Sequence, residues 1–143
     1  MKAATAIMGA CALVVTFALA VSAGSARADA YQPLRDDPVI HQGLTAFSVG
    51  RLIHLRCPEI SGRVLRTMTF LESLVDRAED LGFTRSEIRA YIDNDADQER
   101  YRQIATDYFA SRGAALDDPS GVCRVGRDEI AAGSPIGRLL RGG

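Results

Sequence analysis

The sequence predicts an all-α protein, a small bundle of about five helices with one disulfide behind a cleaved leader. Three observations carry this. Apolar residues recur at helical spacing between recognisable caps. No segment sustains the period-two alternation of a half-buried strand, and no Asn-Gly hairpin turn occurs. Two cysteines, Cys57 and Cys123, remain once the leader is removed. The 143 residues allow one domain and leave little room for a second. Lys and Arg number 17 against 18 Asp and Glu, a balance that argues against nucleic acid as a partner.

Lys2, the uncharged run from Ala3 to Ala26 and the small-residue site Ala26-Arg27-Ala28 have the form of a secretory signal peptide. The predicted organisation is a signal over 1–28, an extended leader over 29–37, and a single helical domain over 38–143 with a short basic tail. Export would place the protein in the periplasm or outside the cell, with no stable membrane span after cleavage. Two thiols in a small domain pair in such a compartment. Beyond residue 28 every lysine-or-arginine position is an arginine.

The polar stretch containing Pro33 predicts extended chain. Asp37-Pro38 then reads as N-cap and first position of a helix reaching Leu55. Its Gly43 and Gly50 weaken it unless they admit a neighbouring helix, and close packing is the expected use. Cys57-Pro58 ends it. A second helix is predicted from Ile60 or Ser61 to Leu81. Its stripe of Val64, Met68, Leu71, Val75 and Ala78 lies opposite charged residues, and Gly82 is its stop. Thr84 and Glu87 form a capping box, with Phe83 and Ile88 as a hydrophobic staple, for a short helix to Ile92. After a break at Asp93 to Asp97, Asp95 caps a helix with Gln98 as its partner. That helix carries Tyr101, Ile104, Ala105, Tyr108 and Phe109 on one face and stops at Gly113. Asp118-Pro119 opens a helix carrying Val122, Cys123, Gly126 and Ile130 to Gly133. A turn from Ile136 to Leu140 precedes the end.

Candidate chemistry is sparse. Pairing of Cys57 with Cys123 closes a loop of about 67 residues, a stabilisation of roughly 4 kcal/mol in the chain-entropy treatment. The competing thiol reading sets His54, three residues before Cys57, beside it as a Cys-His dyad. Asp93, Asp95 and Asp97 fit positions 1, 3 and 5 of a calcium loop. Gln98 stands where that loop needs Gly, and Ile104 where it needs a bidentate Glu, so a solvated acidic turn is favoured. His41 and His54 are too far round one helix to share a site. No nucleophile elbow or phosphate loop occurs. The expectation is therefore a non-enzymatic accessory or protein-interaction module without a cofactor. The alternative is a ligand- or metal-binding module using the acidic turn 93–99 or a pocket between helices. At the C-terminus, Ile136, Arg138, Leu139, Leu140 and Arg141 make a basic amphipathic end. It serves either as a turn packed onto the domain or as a docking point for an envelope protein.

The whole pattern resembles an uncharacterised family of short exported alphaproteobacterial proteins. The features are Pro33-Leu34-Arg35-Asp36, Cys57 with Ile60-Ser61 and Arg63, and Leu81-Gly82-Phe83-Thr84. Cys123-x-x-Gly126-Arg127-x-Glu129-Ile130 and the ending from Gly133-Ser134 to Leu140-Arg141 complete it. The resemblance implies export and brings no catalytic residue. It also implies, as a runner-up, an accessory associated with the respiratory NADH dehydrogenase.

Overall fold

The structure, a computed structural model, describes residues 30–142. The predicted signal and its cleavage site lie outside the described residues. The chain enters through helix α1, Gln32–Asp36, which corrects the expected extended leader. Pro33 sits in its first turn, where its missing N–H and fixed φ suit a helix start. Tyr31 and Leu34 hold it down by packing with Ile40, Ile88, Tyr91 and Tyr101.

Helix α2, Pro38–Arg56, is the axis of the domain. Its N-cap is Asp37, as expected, whose carboxylate accepts from the Val39 and Ile40 amides at 3.0 Å each. The second Asp37 oxygen accepts from Arg77 at 2.6 Å. Cys57 ends the helix before Pro58. At Gly43 a Cβ would stand 2.5 Å from Leu74, so close helix packing is realised there. Gly50 departs from the expectation. Its nearest foreign atom would lie 4.0 Å from a Cβ, on Ile136. Gly50→Ala is therefore expected to stabilise the protein by about 0.5–1 kcal/mol through helix propensity. Gly43→Ala is expected to destabilise it by about 1–2 kcal/mol, since Leu74 must move. Urea midpoints of the two variants check both signs.

Strand β1, Ile60–Gly62, pairs antiparallel with β2, Leu140–Gly142, so that Ile60 faces Gly142 and Gly62 faces Leu140. No strand was expected, and the second helix begins later than predicted. This helix, α3, is Val64–Asp80. It ends in a Schellman turn: Gly82 at φ +94° donates to Glu79, and Phe83 donates to the Ala78 carbonyl. Helix α4, Arg85–Ile92, has the full capping box of Thr84 and Glu87. Helix α5, Asp95–Ala110, is capped by Asn94, whose side chain accepts from the Asp97 amide. Asp95 is thus the first helical residue and not the cap; its neighbour has the shorter reach to the third amide. Helix α6, Pro119–Ala132, starts on Asp118 and stops at Gly133, both as predicted. A 3-10 turn, Gly137–Leu139, leads into β2.

Two apolar clusters lie along α2. One surrounds the disulfide and gathers Val49, Ile53, Phe109, Val122, Val125 and Leu140. The other gathers Tyr31, Tyr91 and Tyr101 around Leu34. The caps couple the fold to pH. Arg77, then the Ile40 amide, holds the Asp37 carboxyl below the usual range. The Thr84 backbone amide does so for Glu87, and the Ser120 hydroxyl for Asp118. A carboxyl depressed in the folded state stabilises fully above its unfolded pKa and loses that contribution as pH falls through its folded value. Stability is therefore expected to drop below about pH 4, a loss that urea midpoints taken at stepwise lower pH will register.

Candidate functional site

One concavity of about 340 Å³ lies between α3 and α4 and is lined by the charged Glu72, Arg85 and Arg89 beside Val75, Ile88 and Ile92. Between α2 and α3 the fold leaves open a cleft of about 260 Å³. Helix α2 contributes Phe47, Gly50, Arg51 and His54, one stripe at three-and-four spacing. Helix α3 contributes Val64, Thr67 and Met68 from its first turns. Gly62 of β1 and Leu139 and Leu140 of the C-terminal segment close the end. The period of α3 had marked Val64 and Met68 as core. They are instead 70% and 62% exposed, and neighbouring Leu65 is 81% exposed. Helix α3 leans on α2 through Leu74 and Ala78, and its first two turns reach past that contact. Arg51 and His54, both exposed, stand on the cleft wall, and no carboxylate lines it.

The expected disulfide is present. Cys57 and Cys123 are bonded, with Cα atoms 5.1 Å apart, and Cys57 is fully buried. His54 points into the cleft wall while the Cys57 sulfur is engaged with Cys123, so the Cys-His dyad is not formed. His41 lies against Tyr101, ring centroids 5.9 Å apart, far from His54 along α2.

The acidic turn does not assemble a calcium site. Asp97 is buried, and both of its oxygens accept from Arg35, at 2.8 and 2.9 Å. Asp93 and Asp95 are exposed. Among the described residues, the three do not bring ligand atoms together; the group that does is Cys57, Glu59 and Cys123, whose sulfurs are spent on the disulfide. Asp97 thereby joins α1 to α5. At the C-terminus, Ile136, Leu139 and Leu140 are buried in the core, so the apolar half of the proposed docking end serves the fold. Arg138 and Arg141 remain at the surface, bonded to the Gly133 carbonyl and the Ser61 hydroxyl.

One constellation was not anticipated. The buried Glu129 carboxylate accepts from the Tyr108 and Ser134 hydroxyls and pairs with Arg112 at 3.3 Å. The Arg112 guanidinium stacks 3.4 Å over the Tyr108 ring. Ser134 also accepts from the Gly137 amide at 3.0 Å. Burial, then the bond to Glu129, pushes the Tyr108 phenol far up. The phenol stays a donor, and the cluster clamps the ends of α5, α6 and the last turn. Burial likewise raises Tyr91 and Tyr101. Their hydroxyls influence each other's titration but lack the geometry of a full hydrogen bond. The resemblance pattern had contained Glu129 and Ser134; Tyr108, in the last turn of α5, and Arg112, in the turn just after it, carried no local signal.

Among the described residues, no helix is long and apolar enough to cross a membrane. The fold and cleft define a small, disulfide-stapled, all-α domain with an open apolar groove. A model of a family of unknown function, DUF5333, matches residues 32–141, and the chain belongs to that family. That span begins at α1 and ends within β2, and so includes the helix that had been read as leader. No curated protein and no solved structure matches the chain.

Proposed function

We propose that the protein is an exported, non-enzymatic accessory module of the periplasm that acts by binding through the α2–α3 cleft. The observation that carries this reading is the cleft itself, an apolar concavity continued onto exposed Val64, Leu65 and Met68. Soluble domains seldom leave such a surface without use. The groups with acid, base or thiol chemistry support it from the other side. Glu129, Asp97, Tyr108 and the two cysteines are engaged in holding the fold. Export is supported by the signal-like leader and by a core built around a disulfide.

Two measurements test the reading. Intact mass of protein from the envelope fraction is expected to begin at Asp29 and to take two alkyl groups only after reduction. A full-length mass with free thiols overturns export. A photo-reactive residue at position 68 is expected to yield an adduct in cells, and one at position 103, on exposed α5 surface, none. Absence of an adduct at 68, or equal adducts at both positions, overturns binding through the cleft.

A further inference from the structure

We infer that the cleft is a site for a single-chain anionic amphiphile, an acyl chain ending in a carboxylate. The inference rests on the reading of the cleft as a binding surface and adds what occupies it.

Shape comes first. At about 260 Å³ the cleft lies just below the size range of pockets that enclose drug-sized ligands. It suits a slim chain better than a ring system. Its floor is Gly50, whose missing side chain is not compensated by a close neighbour, in contrast to Gly43 and Gly126, which are filled by Leu74 and by Ile53 and Ile60. Gly62 at its end likewise has nothing within 4 Å of a Cβ. Phe47, Met68 and Leu139 supply apolar wall. A protein partner would need far more surface, since a stable interface takes about 20–30 residues from each side.

Charge comes second. From Pro38 to Leu71 the chain carries Arg51, Arg56, Arg63 and Arg66 and a single carboxylate, Glu59, which pairs with Arg127 at 3.0 Å. Arg51 lines the cleft and, like His54 beside it, has no hydrogen bond or ion pair among the described residues. Arg63 adjoins the far end, where its backbone amide donates to the Leu139 carbonyl at 2.8 Å. The remaining carboxylates lie elsewhere, on a chain with no net excess of positive charge. An apolar trough with an unpaired guanidinium on its wall recognises an apolar tail with an anionic end, and the guanidinium can engage a carboxylate through two parallel hydrogen bonds.

The test is calorimetric titration of the oxidised chain starting at Asp29, with three amphiphiles of one chain length held below their micellar concentrations. These are dodecanoate, dodecyl maltoside and dodecyltrimethylammonium. Dodecanoate is expected to bind about tenfold more tightly than the maltoside, the gain of one charge-assisted hydrogen bond, and the cation to bind weakest. Arg51→Glu is expected to remove that preference and leave the maltoside within about twofold. Gly50→Leu fills the floor and is expected to abolish binding of all three; the uncharged Met68→Asn, at an exposed position, removes apolar wall and is expected to weaken all three if Gly50→Leu does not fold. Arg102→Glu, on α5, is expected to change nothing. Equal affinity for the three headgroups, or an unchanged preference in Arg51→Glu, overturns the inference. So does flotation with phosphatidylglycerol vesicles without binding of free dodecanoate, which would make the face a membrane-docking surface. A protein-sized adduct at position 68 together with no dodecanoate binding would leave the cleft a binding surface and overturn the amphiphile alone.

Discussion

Replacing Gly137 by alanine is expected to cost about 4 kcal/mol, although it adds one methyl group. A Cβ at this position would overlap the Glu129 carbonyl and the Ile130 amide of α6. These are backbone atoms inside a helix, so no side-chain rotation can relieve the overlap. The segment after Ser134 must instead lift away from α6. Lifting it exposes Ile136, Leu139 and Leu140, now between 1% and 5% exposed. It also breaks the Ser134 bonds to Glu129 and to the Gly137 amide, and unseats β2 from β1. Burying one such aliphatic side chain is worth roughly 1.5–3 kcal/mol. A partial lift that forfeits half of three burials costs about 2–4.5 kcal/mol, and with the lost Ser134 bonds the total reaches about 4 kcal/mol, a large part of the roughly 5–15 kcal/mol that holds a domain together. Gly62→Ala and Gly142→Ala are the controls, since a Cβ at either meets nothing within 4 Å. Thermal melts of the three variants make the comparison. A Gly137→Ala midpoint within a few degrees of the parent would mean that the C-terminal segment is not seated as described. If the variant does not fold, the same seating is read in the parent by hydrogen exchange: the Arg63 amide, bonded to the Leu139 carbonyl, is expected to be as protected as the α6 core.

What the sequence disclosed and what it withheld divide along the range of the interactions. The Thr84–Glu87 box, the Gly82 stop and the Asp37 and Asp118 caps were legible because each is completed within a few residues of its own position. The disulfide was legible once Cys11 was assigned to the expected signal, since the other two cysteines allow one pairing. Helix α1 was missed because five residues are too few to show a helical period, and Pro33 suits a first turn as well as extended chain. Strands β1 and β2 were missed because three residues show no alternation and their partners are 80 positions apart, as in the Arg141–Ser61 bond.

The cleft was withheld for a different reason. Periodicity marks which face of a helix is apolar but not whether anything covers it. The stripe of α3 reads the same at Val64 and Met68, which are exposed, as at Ala78, which is buried. Likewise a glycine in a helix signals only a missing side chain. At Gly43 the space is filled by Leu74, and at Gly50 it stays open. The acidic turn shows the converse. Three aspartates at alternate positions looked like one site, yet Asp97 belongs to a pair with Arg35, sixty-two residues earlier in the chain.

Loss of the disulfide is expected to lower stability by about 4 kcal/mol, and the argument runs through both states of the chain. In the unfolded state the bond ties residues 66 positions apart. Removing that tie restores the entropy of a long loop, about 4 kcal/mol in the chain-entropy treatment. In the folded state the sulfurs sit inside the apolar cluster with Val49, Ile53, Ile60 and Val122, where they fasten the end of α2 to the first turns of α6. Close packing there depends on Gly126, at which a Cβ would stand 2.6 Å from Ile60 and 2.7 Å from Ile53. The double variant Cys57→Ala with Cys123→Ala is preferable to a single one, because it leaves no lone thiol to cross-link two chains. For a domain of this size each kcal/mol moves the melting midpoint by about 4 °C, so the expected drop is about 16 °C. A drop below about 5 °C would show that the α2–α6 junction holds without the bond and would remove one support for export. Should the double variant fail to fold, reduction of the folded parent under native conditions followed by a melt measures the same difference. A protein that gives up this much of its stability when reduced would work best where the bond persists, as it would in the oxidising compartment of the proposed reading.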